Sequence, residues 1–195
     1  MKWRLAILLS GRGSNFEAIA DAAASGRIPN AEIVAVVSDS PVAPGLARAR
    51  QRGLPGHAVD RRLYGTRQAH EQAILRVLDL SRPDLVCLAG YMRLLSPDFV
   101  TRWKGRLLNI HPSLLPRFPG LSPQRQALEA RETVSGCTVH FVDEGTDSGA
   151  VILQKTVPIV PGDTEEALSK RILDVEHAAY PEAIARVLEG MARTA

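Results

Sequence analysis

The chain has 195 residues, 45% of them apolar and 23% charged, with a formal charge of +3. That is the length of one domain, with enough apolar residues to build a core. Its basic residues are scattered without a stripe or run, which argues against nucleic acid as a partner.

Residues 1–9 imitate the start of a signal peptide, but the apolar run is too short and Ser10-Gly11-Arg12-Gly13 follows without a small-residue cleavage pattern. No stretch is long enough to span a bilayer, so a cytosolic protein with no membrane partner is expected. Cys87 and Cys137 each sit in an apolar run without a second cysteine or a histidine at ligand spacing. Both are expected to be buried, inert thiols, with no metal site.

Arg4 to Leu9 reads as a short apolar strand of the kind buried on both faces of a parallel sheet. A helical pattern follows through Phe16, Ile19, Ala20 and Ala23. Residues 31–37 form a second strand, 45–51 a short helix and 56–59 a weak third strand. Residues 66–80 are a helix, with Ala69, Ile74, Leu75 and Leu78 on its apolar face. Residues 85–89 form a fourth strand. Ser96 is a good N-cap with Pro97 in the first turn. Residues 107–111 form a fifth strand, and 123–130 a short helix. Residues 134–142 and 151–160 alternate like a strand pair around a flexible connection. Thr164 caps a final long helix, supported by Glu166. Strands alternating with helices predict an α/β fold with a doubly wound, mostly parallel sheet, extended late in the chain by antiparallel strands.

Three stretches carry chemistry. In Leu107-Leu108-Asn109-Ile110-His111-Pro112, the period of two sends Asn109 and His111 to one face and Ile110 to the other. Pro112 has no amide hydrogen, so pairing stops there. A carboxamide and an imidazole then stand side by side at the carboxyl edge of the sheet, where open α/β sheets bind ligands. Together they can stabilise a developing oxyanion. No serine or cysteine is placed as a nucleophile, so attack would come from a substrate.

The second stretch, Ser10-Gly11-Arg12-Gly13-Ser14-Asn15, follows a strand and opens a helix. Free amides in such a turn attract an anion, and phosphate is the expected ligand. It is not a Walker A loop. As a dinucleotide fingerprint it is imperfect, because Phe16 stands where the third glycine belongs. Asp39, ending the second strand, leaves a nicotinamide cofactor open as an alternative. The third is Asp147, in the loop bounded by Gly145 and Gly149. If that carboxylate reaches His111, it favours the charged ring and can relay a proton.

Ser10 to Asn15, Leu88-Ala89-Gly90-Tyr91-Met92-Arg93-Leu94-Leu95-Ser96, Asn109 to Pro116, Gly136-Cys137-Thr138-Val139-His140-Phe141-Val142 and Asp147-Ser148-Gly149 together resemble the phosphoribosylglycinamide formyltransferases of purine biosynthesis. These belong to a wider formyltransferase superfamily, which residues 109–116 alone would mark. The resemblance runs nearly end to end. It implies a three-layer, Rossmann-like formyltransferase domain over 1–195, with a ribonucleotide half at about 1–95 and a catalytic and folate half at about 85–195.

The resemblance implies 10-formyltetrahydrofolate as co-substrate, phosphoribosylglycinamide as acceptor, no metal, and a monomer or homodimer. Asn109, His111 and Asp147 would be catalytic. Gly11, Arg12, Gly13, Ser14 and Asn15 would hold the ribonucleotide phosphate, with Leu173, Asp174, Val175 and Glu176 at the glycinamide end. Arg67, Met92, Arg93, Leu94 and Leu95 would line the folate pocket, with Asn109, Asp143, Glu144, Gly145, Thr146 and Asp147. Apolar Met92, Leu94 and Leu95 suit a flat pterin ring. The chain departs from the pattern at Gln124, where the family often carries histidine. Glutamine still donates and accepts hydrogen bonds, but has no ionisable role.

Formyltetrahydrofolate hydrolases and the formyltransferases acting on charged tRNA or nucleotide sugars are the nearest alternatives. The first usually adds an N-terminal regulatory domain, and the tRNA enzyme a C-terminal RNA-binding domain. A nucleotide-binding module without catalysis would leave Asn109, His111 and Asp147 idle.

Overall fold

The structure, a computed structural model, describes residues 2–193. Seven strands alternate with helices: β1 (Trp3–Leu9), α1 (Ser14–Ala24), β2 (Ala31–Ser38), α2 (Pro44–Gln51), β3 (Gly56–Ala58), α3 (Arg67–Ser81), β4 (Leu85–Leu88), α4 (Pro97–Arg102), β5 (Leu107–His111), α5 (Pro123–Glu129), β6 (Val134–Phe141), β7 (Val151–Pro158) and α6 (Glu165–Ala192). One sheet takes all the strands, in the order β3-β2-β1-β4-β5-β6-β7. The pairs from β3 through β5 are parallel. β6 and β7 pair antiparallel. This is the doubly wound α/β sheet with a late antiparallel extension that the alternation predicts.

Strand alternation divides the core. Leu5, Ile7 and Leu9 of β1 pack with Phe16 and Ile19 of α1 and with Ile172, Tyr180 and Ile184 of α6. Ala6 and Leu8 face the other way, onto Ile74 and Leu78 of α3 and Phe99 of α4. The sheet is thus covered on both faces, which is why β1 and β4 read as continuous apolar runs. β1 lies between β2 and β4, so the chain winds away in opposite directions from that seam. Such a switch point opens a crevice at the carboxyl ends of the strands.

Caps set several boundaries. The Thr66, Ser96 and Thr164 hydroxyls accept from the amides three residues on, at Ala69, Phe99 and Ala167. The apolar face of α3 differs from the expected one. Ala69 is exposed, and His70 and Glu71 are buried with Ala73, Ile74, Leu75 and Leu78. Each of these polar groups has a partner: His70 Nε2 donates to the Val59 carbonyl, and Glu71 accepts the Ser96 amide.

Candidate active site

β5 ends at His111, immediately before Pro112. Leu107 belongs to the core on the α3 face, Leu108 and Ile110 to the core on the opposite face. Asn109 and His111 therefore share the face of Leu107, as the period of two requires. His111 is only 6% exposed.

The loop between β6 and β7 brings Asp147 to this pair. Its Oδ2 lies 3.3 Å from His111 Nδ1. Its Oδ1 lies 3.5 Å from Asn109 Nδ2. The Gly120 amide donates to Oδ2 at 2.9 Å. Asp147 holds a left-handed backbone (φ 53°), which aspartate tolerates better than most residues. Gly149 pins the loop: a Cβ there would stand 1.8 Å from the Phe141 carbonyl oxygen. Only glycine lets the loop return so close to β6.

His140 is a fourth member that sequence reasoning quoted within a motif but gave no role. In β6 it is paired directly with Asn109 of β5. Its Nδ1 lies 2.8 Å from the Phe141 carbonyl, and Nε2 3.3 Å from Asn109 Nδ2 and 3.7 Å from Asp147 Oδ1. A carbonyl only accepts, so Nδ1 carries a hydrogen; in the neutral ring Nε2 then accepts from the Asn109 amide. The available signal was register, since pairing β5 with β6 sets His140 beside Asn109. Burial pushes the Asp147 carboxyl up, but the His140 ring, the Gly120 amide and the charge of His111 outweigh it, and the net shift is downward.

His111 is engaged on both sides. Nε2 donates to the Phe118 carbonyl at 2.9 Å, while Nδ1 faces Asp147. This geometry accommodates a hydrogen on each nitrogen. Phe118 itself is left-handed (φ 54°).

The glycine turn lies at the end of β1, beside β4. Gly13 caps α1 with φ 77° and no side-chain cap bond, so the first-turn amides are not satisfied by a capping side chain. A Cβ at Gly13 would meet Gly45 Cα at 2.8 Å, whereas one at Gly11 meets nothing within 4 Å. Gly13 is required by packing against α2.

Asn15 and Glu176, 161 residues apart, meet below this turn: Asn15 Nδ2 donates to Glu176 Oε2 at 2.8 Å. Both are buried, and Asn15 Oδ1 has no partner. Burial pushes the Glu176 carboxyl up to about 7, and the Asn15 bond only partly opposes it. Leu173, Asp174 and Val175 occupy the preceding turn of α6, Asp174 exposed and the other two half-buried. Arg12 is exposed, and its carbonyl accepts from the Arg48 guanidinium.

The remaining candidates border the site less tightly. Met92 and Leu94 are each 72% exposed, and Leu95 packs against the core. Arg93 donates through Nε to the buried Asp39 carboxylate at 2.8 Å. Asp39 is thereby paired with Arg93 through Oδ2, while its buried Oδ1 has no hydrogen-bond partner. Arg67 is exposed at the start of α3, 3.9 Å from Glu71. Asp143, Glu144, Gly145 and Thr146 are exposed in the Asp147 loop, where Asp143 accepts from the Gly145 amide and the Ser148 hydroxyl. Gln124 is half-buried in the first turn of α5. Cys87 and Cys137 are free and buried, their thiols raised by burial, Cys137 to about 12. Among the described residues, no group of three or more His, Cys, Asp or Glu is arranged to hold a metal ion, and no helix is long and apolar enough to cross a membrane.

The chain is similar in sequence and in fold to known proteins. The chain is 45% identical over 186 residues to a phosphoribosylglycinamide formyltransferase of Escherichia coli K12, covering 95% of this chain and 87% of that protein. It is 50% identical over 190 residues to the trifunctional purine biosynthetic protein adenosine-3 of Drosophila melanogaster. That alignment covers 97% of this chain but 14% of the longer protein, of which the chain spans one portion. The fold matches the crystal structure of glycinamide ribonucleotide transformylase 1 from Symbiobacterium toebii with a TM-score of 0.94, at 49% identity over 97% of this chain and 89% of that one. It also matches a phosphoribosylglycinamide formyltransferase from Brucella melitensis, with a TM-score of 0.90, 48% identity and 95% coverage of both chains. The formyl transferase family model spans residues 3–184, and with that coverage the chain belongs to the formyl transferase family.

Proposed function

We propose that this protein is a folate-dependent transferase that moves the formyl group of 10-formyltetrahydrofolate to the amine of phosphoribosylglycinamide, a step of purine biosynthesis. The reading rests above all on one observation: the Asp147 carboxylate lies within 3.5 Å of both Asn109 and His111 at the sheet edge. The similarity to a phosphoribosylglycinamide formyltransferase over most of both chains supports the choice of substrates. Both substrates are small molecules, and the enzyme works in the cytosol.

On this reading, the phosphate lies on the backbone of Gly11, Arg12, Gly13, Ser14 and Asn15, where the amides opening α1 favour an anion. Glu176 and the preceding turn of α6 take the glycinamide end; the unpartnered Asn15 Oδ1 is free to accept from it. The folate lies against Arg67, Met92 to Leu95 and residues 143–147. Exposed apolar Met92 and Leu94 fit a flat ring system.

The substrate amine attacks the formyl carbon, and the carbonyl oxygen gains negative charge as that carbon becomes tetrahedral. Asn109 donates one amide hydrogen to this oxygen, while the other rests on His140 Nε2 and holds the carboxamide in orientation. His111 donates from Nε2 once the Phe118 carbonyl gives up that hydrogen, so the 113–122 segment yields when substrate binds. Each such donor is worth about a hundredfold to a thousandfold in rate. Asp147 holds the His111 ring from Nδ1 and passes the proton lost by the amine toward the departing folate nitrogen.

The test is to mix the protein with 10-formyltetrahydrofolate, with and without phosphoribosylglycinamide. Folate turnover that depends on the ribonucleotide is expected. Folate turnover that ignores it would mean a hydrolase and overturn the reading.

A further inference from the structure

We propose that Ser10 is a positioning residue that sets the separation between the phosphate turn and the wall of the folate pocket. This rests on the substrate assignment above. β1 and β4 pair in parallel through Leu8 and Leu88, and the Ala89 amide still donates to the Leu8 carbonyl. Beyond that point the strands part. β1 turns into the glycine turn and α1, and β4 runs into residues 90–96, which have no regular structure. Gly90 makes that departure with φ 74°.

Ser10 spans the opening with two bonds. Its amide donates to the Gly90 carbonyl at 3.1 Å. Its hydroxyl oxygen accepts the Met92 amide at 2.9 Å. A side-chain oxygen thus extends the ladder after the backbone has left it. Further along, Arg93 is held by Asp39, and the Ser96 amide by Glu71, both carboxylates buried. Those anchors join residues 90–96 to the end of β2 and to α3. The Ser10 clasp joins the same segment to the phosphate turn, one residue before Gly11.

The two substrates sit on these two segments, and the reaction joins an atom of one to an atom of the other. Reacting atoms must stand about 3–3.5 Å apart, and a misplacement of about 1 Å costs on the order of a hundredfold. The clasp therefore acts on turnover rather than on the hold over either substrate alone.

Ser10→Ala removes the acceptor and keeps the backbone bond. Calorimetry would measure binding of the ribonucleotide alone and of an unreactive folate analogue alone, beside steady-state kinetics. The expected result is both Kd values within about threefold of wild type and kcat lower by about tenfold or more. Ser10→Thr keeps the hydroxyl and recovers kcat to within about threefold. Wild-type kcat in Ser10→Ala overturns the proposal, as does a loss explained by weaker binding of one ligand, or a Ser10→Thr variant as slow as Ser10→Ala. Wild-type protein that binds neither ligand overturns the substrate assignment itself, and the clasp with it.

Discussion

Asp147 Oδ2 stands 3.3 Å from Nδ1 of His111, although they lie 36 positions apart in the chain, with α5 and β6 between them. The contact gives a buried imidazole a carboxylate whose own protonation is suppressed by its surroundings. Asp147→Asn keeps the shape and removes the charge. Turnover is expected to fall by about a hundredfold or more, the size of lost acid–base help, with ligand binding little changed. Steady-state kinetics beside calorimetric binding would check it, and undiminished turnover would take Asp147 out of the mechanism.

Glu176 makes stability depend on pH. Its carboxyl is raised from 4.5 to about 7, mainly by burial. Between these values the unfolded chain releases the proton and the folded chain keeps it. The folded state then binds more protons, so this group's effect on stability declines as pH rises from 4.5 to 7. Glu176→Gln still accepts from Asn15 and has no proton to lose. Its stability should gain on the wild type across that window, by on the order of 3 kcal/mol above pH 7. Urea unfolding of both proteins at several pH values would show diverging curves. Parallel curves would mean the carboxyl ionises as freely folded as unfolded.

Gly13 and Gly11 should separate packing from binding. Gly13→Ala places a Cβ against Gly45 Cα and forces alanine to a φ of 77°. A loss of about 1–3 kcal/mol of stability is expected, with activity reduced through the distorted turn. Gly11→Ala meets no protein atom. Its melting temperature should stay within a degree or two of wild type, while the Michaelis constant for the ribonucleotide rises. Equal melting temperatures for the two variants would refute the packing assignment.

Tyr180 tests the seam under the site. Fully buried on α6, its hydroxyl lies 3.0 Å from the Leu88 carbonyl and 3.1 Å from that of Leu108, one on β4 and one on β5. Tyr180→Phe keeps the ring and loses that bridge. A cost of about 1–2 kcal/mol is expected, read as a melting point lowered by a few degrees. An unchanged melting point would mean the strand ladder alone satisfies both carbonyls.

Much of this molecule was legible in the chain itself. Apolar runs ending in Gly11 and Gly90, the caps at Ser96 and Thr164, and the period of two through Asn109 and His111 depend on neighbours a few residues away. Local chemistry decides such features, so they can be read from local sequence. The exposed Ala69 shows the limit: a helical pattern names a face only to within a residue or so, and partners at Val59 and Ser96, distant in the chain, hold His70 and Glu71 inward.

Only tertiary structure decided the contacts between distant segments. Asp147 reaches His111 because Gly149 folds its loop onto β6. His140 meets Asn109 because β5 and β6 pair in one register, and Asn15 finds Glu176 because α1 and α6 pack on the same face. The side chain missing at Gly13 answers Gly45 on another helix. These depend on strand order and on which helix covers which face, relations that no local window of residues contains.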